Sequence, residues 1–137
     1  MNSFNVFTVS ASALEAQKQR MNVIASNMAN VHSTRTDEGG PYRRKDVLFS
    51  AAAVQSDPDT LAGVKVVDIV ADSTPFRTVY DPGHPDADKE GYVSMPNINI
   101  IEEMVNMMMA SRAYEASVSA FNMSKTMFLK TLELGRQ

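Results

Sequence analysis

Two stretches of this chain, one at each end, carry apolar residues at heptad spacing, and the segment between them does not. From Asn99 onward neither Pro nor Gly interrupts the chain until Gly135. Ile100, Met107, Tyr114, Phe121 and Phe128 recur every seven residues, with Met104, Ser111, Val118, Lys125 and Leu132 at the offset positions. This spacing predicts a long helix with an apolar stripe, weakest at Ser111 and Lys125. Asn99 can cap its first turn, Glu102 stands where a capping-box carboxylate belongs, and Gly135 is a natural stop. A helix of about 35 residues is on the order of 50 Å long. From Met104 to Met109, Met108 included, only Asn106 is polar. Apolar atoms go most of the way round there, the pattern of a helix covered on more than one side.

The first segment, Phe4 to Val31, repeats the device. Phe7, Leu14, Met21 and Met28 are seven apart, and Ser10, Gln17, Ile24 and Val31 hold the alternate positions. Ser12 and Glu15 have capping-box spacing, so a helix is expected to start there or earlier.

The middle, His32 to Pro96, holds all six Pro, five of the six Gly, and 11 acidic against 7 basic residues. Short β-type runs occur at Asp46–Ser50, Val64–Val70, Phe76–Tyr80 and Tyr92–Met95. Asp72-Ser-Thr-Pro75 is expected to turn the second run back on the third. Asp81-Pro-Gly-His-Pro85 reads as another turn, and Glu38–Pro41 and Asp57-Pro-Asp59 as loops. The expected fold is α+β: long N- and C-terminal amphipathic helices with a small irregular antiparallel β region inserted between them. The corresponding segments are 1–32, 33–96 and 97–137.

At 137 residues this reads as one domain, or as one small domain with extensions. A formal net charge of −3 gives no reason to expect nucleic acid or a membrane surface. With no Cys, disulfides and thiol chemistry are excluded. Arg112, Glu115, Lys125 and Lys130 interrupt the most apolar stretch, which argues against a transmembrane span. Lys and Arg are missing before Lys18 and no apolar core precedes a cleavage site, so export, if it occurs, is expected to need no cleaved signal.

A burial argument follows. The loop-rich middle is too small to cover two long helices as well as a core of its own. Packing the helices on each other leaves the second side of Met104–Met109 open, with Met123 and Met127. Apolar surface on that scale usually marks a protein interface. Ala110, Ser111, Ala113, Ala116, Ser117 and Ala120 would let neighbouring helices approach closely. The sequence points to a subunit completed by other chains.

Site chemistry is thin. Asp86-Ala-Asp88-Lys-Glu90-Gly91 mimics the opening of a calcium loop, but its twelfth position is Asn97, Pro96 precedes that, and no helix leads in. It reads as a solvated acidic turn. His32 and His84 lack partners at metal-binding spacing, although Asp81 and Asp86 flank His84. No nucleophile elbow or phosphate-binding glycine pattern occurs. No cofactor, metal, nucleic acid or small-molecule substrate is expected. Tyr42-Arg43-Arg44-Lys45 reads either as a solvated loop or as a contact to an acidic neighbouring subunit. The Met-rich run reads as permanent interface before adaptable peptide groove.

Ile24-Ala-Ser-Asn-Met-Ala-Asn-Val-His-Ser-Thr34 resembles the N-terminal motif shared by rod and hook proteins of the bacterial flagellum. Gly40-Pro-Tyr-Arg-Arg-Lys-Asp-Val-Leu-Phe49, Tyr80 to Val93 and Pro96-Asn-Ile-Asn99 are similar to a proximal-rod subtype of that axial family. So are Glu103-Met-Val-Asn-Met107 and Ser111-Arg-Ala-Tyr-Glu-Ala116. The tail, Met127-Phe-Leu-Lys-Thr-Leu132, departs by being bulkier than the family's Ala-rich form. The resemblance implies a non-enzymatic structural subunit, exported uncleaved by the flagellar type III apparatus. It would polymerise into the periplasmic rod with itself, FlgB, FlgF, the distal rod protein, FliE and the basal-body ring. The terminal helices would line the export channel. Leu14, Met21, Ile24, Met28, Ile100, Met104, Met107, Met108, Tyr114, Val118, Phe121, Phe128 and Leu132 are the expected interface residues. Asn27 and Asn30 are included, with amides expected to bond backbone groups where the chain leaves the first helix. The competing reading is a soluble helical binding module or export chaperone with a Met-rich groove. A chaperone would form a small closed oligomer in light scattering, whereas a rod subunit would polymerise with its partners.

Overall fold

The computed structural model describes residues 3–53 and 62–136. Helices α1 (Ser3–Ala29) and α2 (Ile100–Leu134) enclose in sequence the strands β1 (Lys45–Ala53), β2 (Ala62–Ala71), β3 (Arg77–Tyr80) and β4 (Tyr92–Met95). The fold is α+β, as the patterning predicts. The Asp57-Pro-Asp59 loop lies outside the described residues.

Asn99 caps α2 by accepting the Ile101 amide at 3.0 Å. Gly135 ends the helix while still in the right-handed region (φ −76), its amide reaching Thr131 O. Helix α1 starts well before Ser12, which is therefore no cap. The Ser12 hydroxyl donates to Val9 O at 2.7 Å and accepts the Val64 amide at 3.0 Å, fastening β2 onto α1. Gly63 permits this approach, since a Cβ there would lie 2.7 Å from the Ser12 oxygen.

The helices run antiparallel. Near one end the Phe7 ring meets Phe121 edge-on at 5.3 Å and Phe128 at 6.1 Å. Near the other, Asn27 meets Glu103. Glu103, Met107, Ala110, Tyr114, Ser117, Phe121, Ser124 and Phe128 are all buried or half-buried, in alternating steps of four and three. One expected heptad column therefore packs, but its companion is Glu103, Ala110, Ser117 and Ser124. Met104, Lys125 and Leu132 of the expected companion column are exposed, and Ser111 and Val118 sit at its half-buried margin. The reason is size. Small residues let the backbones close up, and the hydroxyls of Ser117 and Ser124 are satisfied by carbonyls of their own helix at 2.9 Å. In α1, Gln17 Oε1 is buried without a partner among the described atoms.

The strand pairing differs from expectation. β2 pairs with β1, not β3, and β3 pairs with β4, giving two separate two-stranded antiparallel sheets. Asp72 instead folds its carboxylate onto the Thr74 amide at 2.8 Å, a local turn that leads away from β2. A bulge lies opposite Leu48/Phe49 in the first hairpin. That hairpin lies against α1, so α1 sits between β1–β2 and α2, whereas α2 packs on α1 alone among the described elements. The largest fully buried side chains include Val93 and Pro96, and with Ile98 they seat the entry to α2.

The β3–β4 hairpin turns on Gly91, whose φ of +85 and a virtual Cβ 2.9 Å from the Tyr80 ring exclude a side chain. Gly91→Ala is expected to cost about 1–3 kcal/mol, read as a lowered denaturant midpoint. An unchanged midpoint would contradict this packing.

Candidate functional site

Two features stand out: a buried polar clasp where the helices meet the β region, and an uncovered apolar face on α2. The clasp is built on Asn27, in the last turns of α1, with 0% exposure. Its Nδ2 donates to Lys45 O at 2.8 Å and to Glu103 Oε2 at 3.0 Å. Its Oδ1 accepts the Lys45 amide at 2.9 Å and the Tyr42 hydroxyl at 3.2 Å. All four hydrogen-bonding positions of the amide are used. Glu103, also 0% exposed, receives Arg44 Nε on its other oxygen at 2.7 Å. Burial pulls the Arg44 guanidinium down, but its hydrogen bond and charge contact with Glu103, aided by Asp46, raise it above the ordinary arginine value. The Arg44 amide donates to Asn97 Oδ1 at 3.1 Å, and Asn97 Nδ2 donates to the Thr74 hydroxyl at 2.6 Å. Arg43 holds the carbonyls of Asp72 and Thr74, each at 3.0 Å, and lies over the Phe76 ring.

The basic run Tyr42–Lys45 is thus neither a solvated loop nor a free patch. Its arginines are committed within the chain. Asn27 bonds the Lys45 backbone, and Asn30 Nδ2 donates to Ser26 O of its own helix at 2.9 Å. Glu103 was missed as a site. Its signal was a carboxylate at seam spacing, four residues before Met107 and seven before Ala110.

The acidic turn is organised by its own bonds. The Asp86 carboxylate accepts the Thr34 hydroxyl at 2.8 Å and pairs with Arg35. Asp88 Oδ1 accepts the amides of Glu90 and Tyr92. Among the described residues no group of three or more His, Asp or Glu side chains is placed to hold a metal. The hydroxyl of Thr34, and then Arg35, hold the Asp86 carboxyl below the usual carboxylate range; for Asp72 the Thr74 amide dominates, then the Thr74 hydroxyl. Folded values below unfolded ones mean that this stability is present above the unfolded carboxylate range and lost as pH falls through the lower, folded values. Urea midpoints are therefore expected to fall on acidification from about pH 5 to pH 3, and less so in Asp86→Asn. An equally steep fall in Asp86→Asn would contradict the assignment.

The α2 face is the second feature. Met104, Met108, Met109, Met123, Met127, Leu132 and Leu134 are exposed, Met108 at 65%. A groove lined by Val6, Phe7, Met127, Phe128 and Leu132 continues it at the far end of the helix pair. Of the expected interface residues, Ile24 and Asn27 are buried. Leu14, Met21, Met28, Asn30, Met107, Tyr114, Val118, Phe121 and Phe128 are half-buried. Ile100, Met104, Met108 and Leu132 are open.

Residues 7–35 match the family model for flagella basal body rod proteins, and 89–134 that for the C-terminal region of flagellar basal body rod FlgEFG proteins. The flagellar basal-body rod protein FlgC of Yersinia enterocolitica is 49% identical over 99% of this chain and 100% of that protein. That of Escherichia coli O157:H7 is 48% identical with the same coverage, and that of Bacillus subtilis (strain 168) is 41% identical over 99% of this chain. The chain belongs to the FlgC family of flagellar basal-body rod proteins. The family is structural, not enzymatic, in keeping with a site made of packing and internal hydrogen bonds. The clasp spans both family matches: Asn27 lies in the first, Asn97 and Glu103 in the second, and Tyr42–Lys45 between them.

Proposed function

We propose that this chain is a subunit of the proximal rod of the flagellar basal body, a part of the drive shaft that transmits torque and surrounds the export channel. Segments 1–32 and 97–137 form its axial helices, and 33–96 the connector and outer β region. Rod neighbours of the FlgB and FlgF type, the distal rod protein, FliE, the basal-body ring and further copies of this chain are the partners. The flagellar type III apparatus delivers it to the periplasm without a cleaved signal.

The observation that carries this reading is a 35-residue helix that packs on α1 alone among the described elements and leaves its methionines in solvent. An exposed apolar surface of this extent marks a site where another chain docks. Ile100, Met104, Met108 and Leu132 are the direct contacts, whereas Met107, Tyr114, Phe121 and Phe128 shape the helix pair that presents them. Family membership supplies the kind of partner.

Deleting the coding segment is expected to give basal bodies that stop before the rod is complete, and cells that fail to spread in soft agar. Expression in trans should restore both. A motile deletion strain with complete rods would overturn the reading.

A further inference from the structure

Five of the ten methionines, Met104, Met108, Met109, Met123 and Met127, are 51% to 66% exposed, and all lie on α2. At about 100° per residue they fall within an arc of about 140°, on the side turned away from α1. They form two groups, one on each side of the exposed Arg112–Glu115 ion pair. Their exposure does not rest on the helix pair, since parting the helices would only open these side chains further. The other exposed apolar side chains of α2, such as Ile101, Leu129 and Leu134, are plain hydrocarbon. A thioether differs, because its sulfur takes oxygen from a two-electron oxidant. The chain has no Cys, so no thiol of its own competes for that oxidant.

Oxidation changes what this face can do. Unmodified Met is apolar and adapts to an irregular contact, whereas its sulfoxide is polar and chiral. Buried against a neighbouring chain without a donor, the sulfoxide oxygen is costly, but in water it is solvated. The free chain therefore tolerates a modification that the assembled one does not. We infer that these five thioethers are an oxidation site that gates assembly: hypohalous acids convert them to sulfoxides in the unassembled chain, and a chain so modified is kept out of the rod. With hypochlorous acid each sulfur loses two electrons and gains one oxygen, the O–Cl bond breaks, and chloride and a proton leave. Chains already in the rod are shielded by their neighbours. This gate rests on the proposed burial of the face in the rod and adds a chemical condition to it.

Hypochlorous acid is added to the purified full-length chain and, separately, to isolated basal bodies, and sulfoxides are located by peptide mass spectrometry. Oxidation at the five positions is expected to be about tenfold slower in basal bodies. Equal rates would mean that the face is uncovered in the rod, and would overturn the rod contact and the gate together. In a second arm, cells newly induced to express the chain receive a brief pulse of the same oxidant. Sulfoxide at these positions is expected to be about tenfold scarcer in new rods than in the unassembled pool, the discrimination that one unpaired buried oxygen supplies. Shielded basal bodies combined with sulfoxide-bearing chains that enter new rods freely would overturn the gate alone. A chain with all five replaced (Met104→Leu, Met108→Leu, Met109→Leu, Met123→Leu and Met127→Leu) keeps the face apolar but gives the oxidant nothing to attack there. In cells expressing both chains, the pulse is expected to shift new rods toward the Leu chain, because damage to other components affects both alike. An unshifted ratio would likewise overturn the gate. The partition of the natural chain decides the matter even without this variant.

Discussion

Glu103→Ala is expected to lower the unfolding free energy of the isolated chain by about 3 kcal/mol, the low end for breaking a buried ion pair. The substitution leaves Asn27 Nδ2 with one acceptor fewer and strips Arg44 of its 2.7 Å partner. The penalty is held to the low end because Arg44 is partly exposed and keeps Asp46 at 3.4 Å and Asp72 at 3.8 Å. Glu103→Gln retains one acceptor and is expected to cost about half as much, since one of the two donors still finds an oxygen. Urea unfolding followed by helix signal gives the comparison. Equal midpoints for all three proteins would show that the clasp contributes nothing to stability.

Met108→Asp is expected to abolish swimming while leaving the isolated chain as stable as before, within about 0.5 kcal/mol. Met108 is 65% exposed, so its carboxylate stays in water in the free protein. In an assembled rod the same group would be buried against a neighbouring chain, at several kcal/mol for each copy. Phe121→Asp separates the two roles of α2. Phe121 packs on Phe7 within the chain, so this variant should lose helix-pair stability first and assembly as a consequence. Phe121→Leu keeps the apolar contact and should stay motile. Soft-agar spreading together with denaturation of the purified proteins distinguishes the cases. A motile Met108→Asp strain would mean that this face touches no neighbour.

The helices were legible because their signals are local. A seven-residue period, Asn99 as cap and Gly135 as stop are all readable within a few residues of where they act. The interior of the β region was not. The turn residues Asp72–Pro75 do turn the chain, but Asp72 bonds Thr74, Arg43 gathers their carbonyls, and β2 has already been taken by β1. Those are tertiary effects that propensity does not encode. The clasp was half legible. Asn27 could be expected to bond backbone at the helix end, but its partner Lys45 is 18 residues away and Glu103 is 76. Glu103 also hid beside Glu102 at the helix start, where acidic residues are ordinary. Which column of α2 faces α1 was decided by side-chain volume at Ala110, Ser117 and Ser124, whereas the sequence reading favoured the bulkier Met104 column.

Met104, Met108, Met109, Met123 and Met127, all left exposed on α2, form the surface on which assembly is proposed to depend. A photoreactive benzophenone side chain at position 108, introduced into the full-length protein in otherwise normal cells, tests this most directly. Irradiated motile cells are expected to yield covalent adducts between this chain and rod subunits, identified by mass spectrometry of isolated basal bodies. Cells blocked in assembly should yield none. Rods that assemble and rotate, yet carry no protein adduct at position 108 after irradiation, would contradict the account.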